Sequence, residues 1–168
     1  LEYCKTHKTK MIFVSSYMYG NPDKLPTNEK AKIKINNPLA LSKSLCEEVC
    51  KFYAKSYGLK VIILRPSNIY GPGQKNFWLI PDIINKFKMK KIVVNNLNVK
   101  RDLIYISDFV EAIIKSISLK SNFQIFNIGS GRSYSIKEII EILKKLHKKN
   151  LSLINKNTSS KNQIMNTK

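Results

Sequence analysis

The groups able to do chemistry gather in five short stretches: "VSSYMYG" (14–20), "NNPLALSK" (36–43), "LRPSNIYGPGQ" (64–74), "KRDLIYISD" (100–108) and "FNIGSG" (126–131). The Ser15 hydroxyl both donates and accepts, which suits a group beside a moving proton. Lys43 follows Leu39 by four residues. Positions four apart share one helix face, so a helical partner of Lys43 falls at Leu39. Leucine moves no proton. Arg101 presents a planar fork that binds two phosphate oxygens at once. Taken singly, the serine and the lysine have plainer readings: a strand-end serine in a turn and a solvated lysine.

These residues need elements to hold them. "MIFVSS" (11–16) and "KVIILRP" (60–66) are short continuous apolar runs, the pattern of strands buried on both faces. "KIVVN" (91–95) and "QIFNIG" (124–129) are two more. Helical spacing runs from Ser42 to about Tyr57, with Leu45, Val49, Phe52 and Tyr53 on one stripe and Gly58 as the stop. Further helices are expected from about Ile80 to Lys88, from about Asp108 to Ile117 with Asp108 as N-cap, and over 135–147. The last opens with Ser135 and Glu138 in capping-box spacing. The tail after His147 holds at most one strand before it frays. Strands alternating with helices predict an α/β fold with a parallel sheet covered on both faces. Such sheets bind ligands beyond the carboxyl ends of their strands, here Ser15–Gly20, Arg65–Gly71 and Asn127–Gly131.

Composition narrows the function classes. The 168 residues carry a net charge of +19 and are 43% hydrophobic, enough for a globular core. The basic residues are overwhelmingly Lys, spread evenly, with arginine only at Arg65, Arg101 and Arg132. No basic cluster with interleaved aromatics stands out, so the charge reflects AT-rich coding and no nucleic-acid partner is expected. No apolar run reaches the roughly 18 residues of a membrane span, and no secretory leader is visible. A cytoplasmic protein is expected. Cys4, Cys46 and Cys50 lack metal-ligand or disulfide spacing and are read as buried or half-buried thiols, with no metal site. Phe77 and Trp78 are of a type to stack on a base or sugar, but packing in the core is the expectation.

In order and spacing, the five stretches resemble the extended short-chain dehydrogenases/reductases, the NAD-dependent epimerase/dehydratase family, over nearly the whole chain. The look is closest to the UDP-glucose 4-epimerase type. "KNQIMNTK" (161–168) is similar to a further family segment. The resemblance implies NAD as cofactor, a nucleotide-sugar substrate and a homodimer in the complete protein. The implied reaction is transient hydride transfer from the sugar, rotation of the keto sugar and return of the hydride. Ser15 matches the hydroxyl that holds the sugar. Lys43 matches the lysine of Tyr-x-x-x-Lys, with Leu39 where the catalytic tyrosine belongs. Lys43 and Pro66 are the implied cofactor contacts. Asn68 and Arg101 are the implied substrate contacts near the diphosphate. Tyr17 would face the substrate, and Tyr19 would be structural. Ser16 and Tyr17 stand where the dehydratases carry an acidic pair, which points away from dehydration. The family's glycine-rich pyrophosphate loop is missing, as from a chain lacking its N-terminal part. Residues 1–75 then correspond to the later part of a Rossmann domain, and 76–168 mostly to a small α/β substrate-binding domain, with about 100–118 returning to the first. A catalytically impaired or truncated homologue is the alternative.

Overall fold

The computed structural model describes residues 1–87, 91–148, 152–156 and 167. In chain order the elements are α1 (Glu2–Thr6), β1 (Met11–Val14), α2 (Pro38–Tyr57), β2 (Val61–Pro66), β3 (Asn68–Tyr70), α3 (Leu79–Lys86), β4 (Lys91–Asn95), β5 (Lys100–Tyr105), α4 (Ile106–Ser118), β6 (Phe123–Ile128), β7 (Ser133–Ser135), α5 (Ile136–His147) and β8 (Ser152–Lys156).

The first sheet has order β1-β2-β6 and is parallel throughout. Its centre is β2, every residue of which is buried. Side chains alternate across a strand, and the core shows it. Val61 and Ile63 face Cys50 and Leu59 on the α2 side. Ile62 and Leu64 face Ile104 and Phe109 on the α4 side. Each of these four strand residues is fully buried, worth roughly 1.5–3 kcal/mol of apolar transfer apiece. The expected α/β fold with a doubly covered parallel sheet is present.

A second layer forms around α3, β4, β8 and α5. Ile83, Phe87, Ile92, Val99 and Ile140 make its core, and β4 pairs β8 in parallel. Between the layers lies β5, paired in parallel with β3 and antiparallel with β7. Strand β6 belongs to the first sheet, pairing β2 along its whole length.

The local expectation for α5 holds. Ser135 and Glu138 form a complete capping box on it. Others shift. Helix α2 begins at Pro38, ahead of the apolar stripe that marked Ser42. The Asn37 side chain accepts from Ala40 N at 2.8 Å, and Pro38 occupies the first turn, where its missing N–H costs nothing. Asp108 is not a cap. Tyr105 is the N-cap of α4, and Asp108 sits in the first turn, where the helix dipole favours it. Phe77 and Trp78 are outside the core, 74% and 51% exposed, with ring centroids 5.3 Å apart. Cys46 is exposed. Among the described residues no helix is long and apolar enough to cross a membrane. The expected fraying of the tail and nearly all of "KNQIMNTK" fall outside the described residues.

Candidate active site

The carboxyl end of β1 and the first turns of α2 meet. Lys43 reaches back from α2 to donate to Val14 O at 2.8 Å, with its ammonium 4.9 Å from the centre of the Phe13 ring. The next residue, Ser15, is buried and donates to Glu47 Oε1 at 2.5 Å. Lys43 and Glu47 are one turn apart on α2, so strand end and helix face are joined twice. One turn before Lys43, Leu39 is 57% exposed. An apolar side chain stands in water there.

Beneath Ser15 lies a polar network that the sequence reading passed over. Glu47 takes Arg65 Nε at 2.9 Å and Arg65 Nη2 at 2.5 Å, with both residues buried. Arg65 Nη1 donates to Tyr19 Oη at 2.6 Å, and Tyr19 donates to Asn127 Oδ1 at 2.7 Å. Burial works to pull the Arg65 guanidinium down, but its bonds to Glu47 and Tyr19 outweigh this and raise it. Burial pushes the Tyr19 phenol up, in spite of Arg65. Glu47 carried a signal: it lies four residues after Lys43, on the same face. Arg65 is one of only three arginines.

Asn68 lies in the β3–β5 pairing opposite Leu103, and Arg101 in the β5–β7 pairing opposite Tyr134. Asn68 Nδ2 donates to Asp102 O at 3.0 Å and to Thr167 Oγ1 at 3.1 Å. Both amide hydrogens therefore have protein partners. Arg101 Nη1 donates to Lys100 O at 2.9 Å. Burial pulls its guanidinium down, and the Tyr17 phenol acts on it in the opposite sense. The Tyr17 hydroxyl donates to Gly20 O at 3.1 Å. Burial raises its pKa, so Tyr17 is a donor and not a ready phenolate. Tyr17 is two residues past Ser15 and within electrostatic reach of Arg101. It also lines a cleft of about 170 Å³ with Arg65, Ser67, Asp102, Asn127 and Gly129. Pro66 is buried at the end of β2, with Ile128 beside it on β6.

Asp102 organises the far wall. Its Oδ1 accepts from Ser130 N and Ser130 Oγ, each at 2.8 Å, and its Oδ2 from Gly131 N at 3.0 Å. Its own N–H donates to Thr167 Oγ1 at 2.9 Å. The "FNIGSG" loop is thereby tied to β5.

The model of the NAD dependent epimerase/dehydratase family matches residues 1–129, and the chain belongs to that family. It is 38% identical over 148 residues to dTDP-4-dehydro-6-deoxyglucose reductase of Escherichia coli, covering 83% of this chain and 46% of the relative. It is 31% identical over 173 residues to UDP-glucose 4-epimerase of Yersinia enterocolitica, covering 89% of this chain and 52% of the relative. The structure of UDP-N-acetylglucosamine 4-epimerase from Methanobrevibacter ruminantium M1, in complex with UDP-N-acetylmuramic acid, superposes with a TM-score of 0.89 at 26% identity. That likeness covers 98% of this chain and 55% of the other. The chain spans about half the length of the curated relatives it matches.

Proposed function

We propose that this chain carries the sugar-side half of an NAD-dependent nucleotide-sugar epimerase of the UDP-glucose 4-epimerase type. The observation that carries the reading is the junction of β1 and α2, where Lys43 and Ser15 stand together at one strand end. The residues fit the nicotinamide end of NAD. A lysine ammonium has three N–H donors, and the bond to Val14 O uses one, leaving two for ribose hydroxyls. Pro66 offers a rigid wall with no N–H. The chemistry NAD supplies when bound is reversible acceptance of a hydride. Ser15 holds the sugar hydroxyl, and Arg101 takes the diphosphate through its fork. Tyr17, within electrostatic reach of Arg101, faces the substrate.

Leu39 favours a second reading, a homologue that binds nucleotide sugar but turns it over slowly or not at all. A single substitution separates the two. With UDP-glucose and NAD, Leu39→Tyr is expected to raise 4-epimerisation by roughly 100-fold or more, the ordinary range for a general base. Epimer formation followed by chromatography checks this. Brisk turnover in the unmodified chain, unchanged by Leu39→Tyr, would show that another group is the base. Absence of turnover in both, with UDP-glucose still bound, would favour the binding-only reading.

A further inference from the structure

The hydrogen bonds beneath Ser15 have a forced direction. Arginine only donates, and an ionised carboxylate only accepts. Arg65 Nη1 donates to Tyr19 Oη at 2.6 Å, so the Tyr19 proton points onward to Asn127 Oδ1 at 2.7 Å. That fixes the Asn127 amide, whose Nδ2 donates to Thr27 O at 3.0 Å. In the other direction, Arg65 Nε and Nη2 grip both oxygens of Glu47. Glu47 Oε1 also takes the Ser15 hydroxyl at 2.5 Å. A carboxylate held by a buried guanidinium has no proton to give, so the Ser15 proton belongs to this bond. Ser15, Glu47 and Arg65 are each at most 5% exposed, so bulk water does not rescue another arrangement. What Ser15 has left for a ligand is lone pairs.

From this polarity we infer that Glu47 is a positioning residue that fixes Ser15 as a hydrogen-bond acceptor, so that the site selects a sugar carbinol, which donates, over a group that only accepts. The inference rests on the nucleotide-sugar reading and adds a direction to it. A carbinol held by Ser15 gives its proton to that bond. The same carbon as a ketone has no proton to give, and Ser15 has none to offer in return. The ketone is released from this contact, which is what a keto sugar needs before it turns over. A ketone reductase would profit from the opposite polarity, with a donor aimed at the carbonyl oxygen.

The test is binding without NAD, so that no chemistry intervenes. The probes are UDP-glucose, its 4-deoxy-4-fluoro analogue and UDP alone, titrated calorimetrically. Fluorine replaces a donor by a weak acceptor of similar size. The unmodified chain is expected to bind UDP-glucose about tenfold more tightly than the fluoro analogue, the value of one ordinary hydrogen bond. Ser15→Ala removes the preference and Ser15→Thr keeps it. A Glu47→Leu, Arg65→Met double variant removes the acceptor without stranding a buried charge, frees the Ser15 proton for the ligand, and shrinks the preference to about twofold or less. A merely structural Glu47 would weaken both compounds alike and leave their ratio unchanged, and that result overturns the inference. Equal binding of the two sugars by the unmodified chain overturns it as well, while leaving the nucleotide-sugar reading in place. Failure of UDP and both sugars to bind removes that reading and the inference together. Should the double variant fail to fold by circular dichroism, the unmodified chain and the two Ser15 variants still decide the carbinol preference.

Discussion

Asp102 and Gly129 occupy each other's space. A Cβ added to Gly129 would lie 2.7 Å from Asp102 Oδ2 and 3.1 Å from its Cγ. The carboxylate has little freedom to retreat, since three N–H or O–H groups of Ser130 and Gly131 hold it. Gly129→Ala is therefore expected to destabilise the fold by about 1–3 kcal/mol, as overpacking does, read as a lower midpoint in urea. An unchanged midpoint would mean that the loop relaxes freely. Glu47 gives a larger effect for a different reason. Glu47→Ala leaves the buried Arg65 guanidinium without its counter-charge, and breaking such a pair costs about 3–5 kcal/mol. The same urea titration measures it, and a loss under about 1 kcal/mol would contradict the buried pair. Sequence showed part of this. The hydroxyl, the lysine and the missing phenol could be read off, because they fall at fixed spacings in short motifs. The Ser15–Glu47–Arg65 contact could not, because it joins residues up to fifty positions apart.

At the scale of elements, α2 is the part that aims the chemistry, and its start is set by Asn37 and Pro38. Loss of the cap in Asn37→Ala is expected to cost about 1 kcal/mol and to loosen the turn that carries Leu39 and Lys43. Amide hydrogen exchange should then quicken at Ala40 and Leu41, and equal exchange would contradict the role. Helix α5 carries a pH-sensitive cap. The Ser135 backbone N–H, helped by the Ser135 hydroxyl, holds the Glu138 carboxyl below its ordinary value. The unfolded chain lacks this bond, so the stabilisation is full above the usual carboxylate range and is lost as pH falls through the lowered value. A Glu138→Gln variant should show less acid-dependent loss of helicity than the parent. The strands β1, β2, β4 and β6 were legible as apolar runs. The short strands β3, β5 and β7 were not. They are three to six residues long with mixed polarity, and their pairing, not their composition, makes them strands. Phe77 and Trp78 looked like core by type alone, but type does not say which side of a turn faces water.

At the scale of the whole molecule, β1 is an edge of the first sheet among the described residues. The apolar residues Leu45, Val49 and Phe52 on α2 and Val110, Ile114 and Ile117 on α4 are all exposed. An open edge flanked by such stripes favours self-association. Sedimentation of the isolated chain is expected to show species larger than a 19.4 kDa monomer, growing with concentration, whereas a monomer across the range would contradict this. The central claim concerns the nucleotide-sugar site, and Arg101 tests it most directly, because a guanidinium bound to a diphosphate has no substitute among the neighbouring carbonyls and hydroxyls. Titration of UDP-glucose into the parent and into Arg101→Ala is predicted to show binding that weakens by roughly 10- to 100-fold, the value of a charge-assisted pair. Equal affinity of the two proteins, or no binding by the parent, would contradict the account.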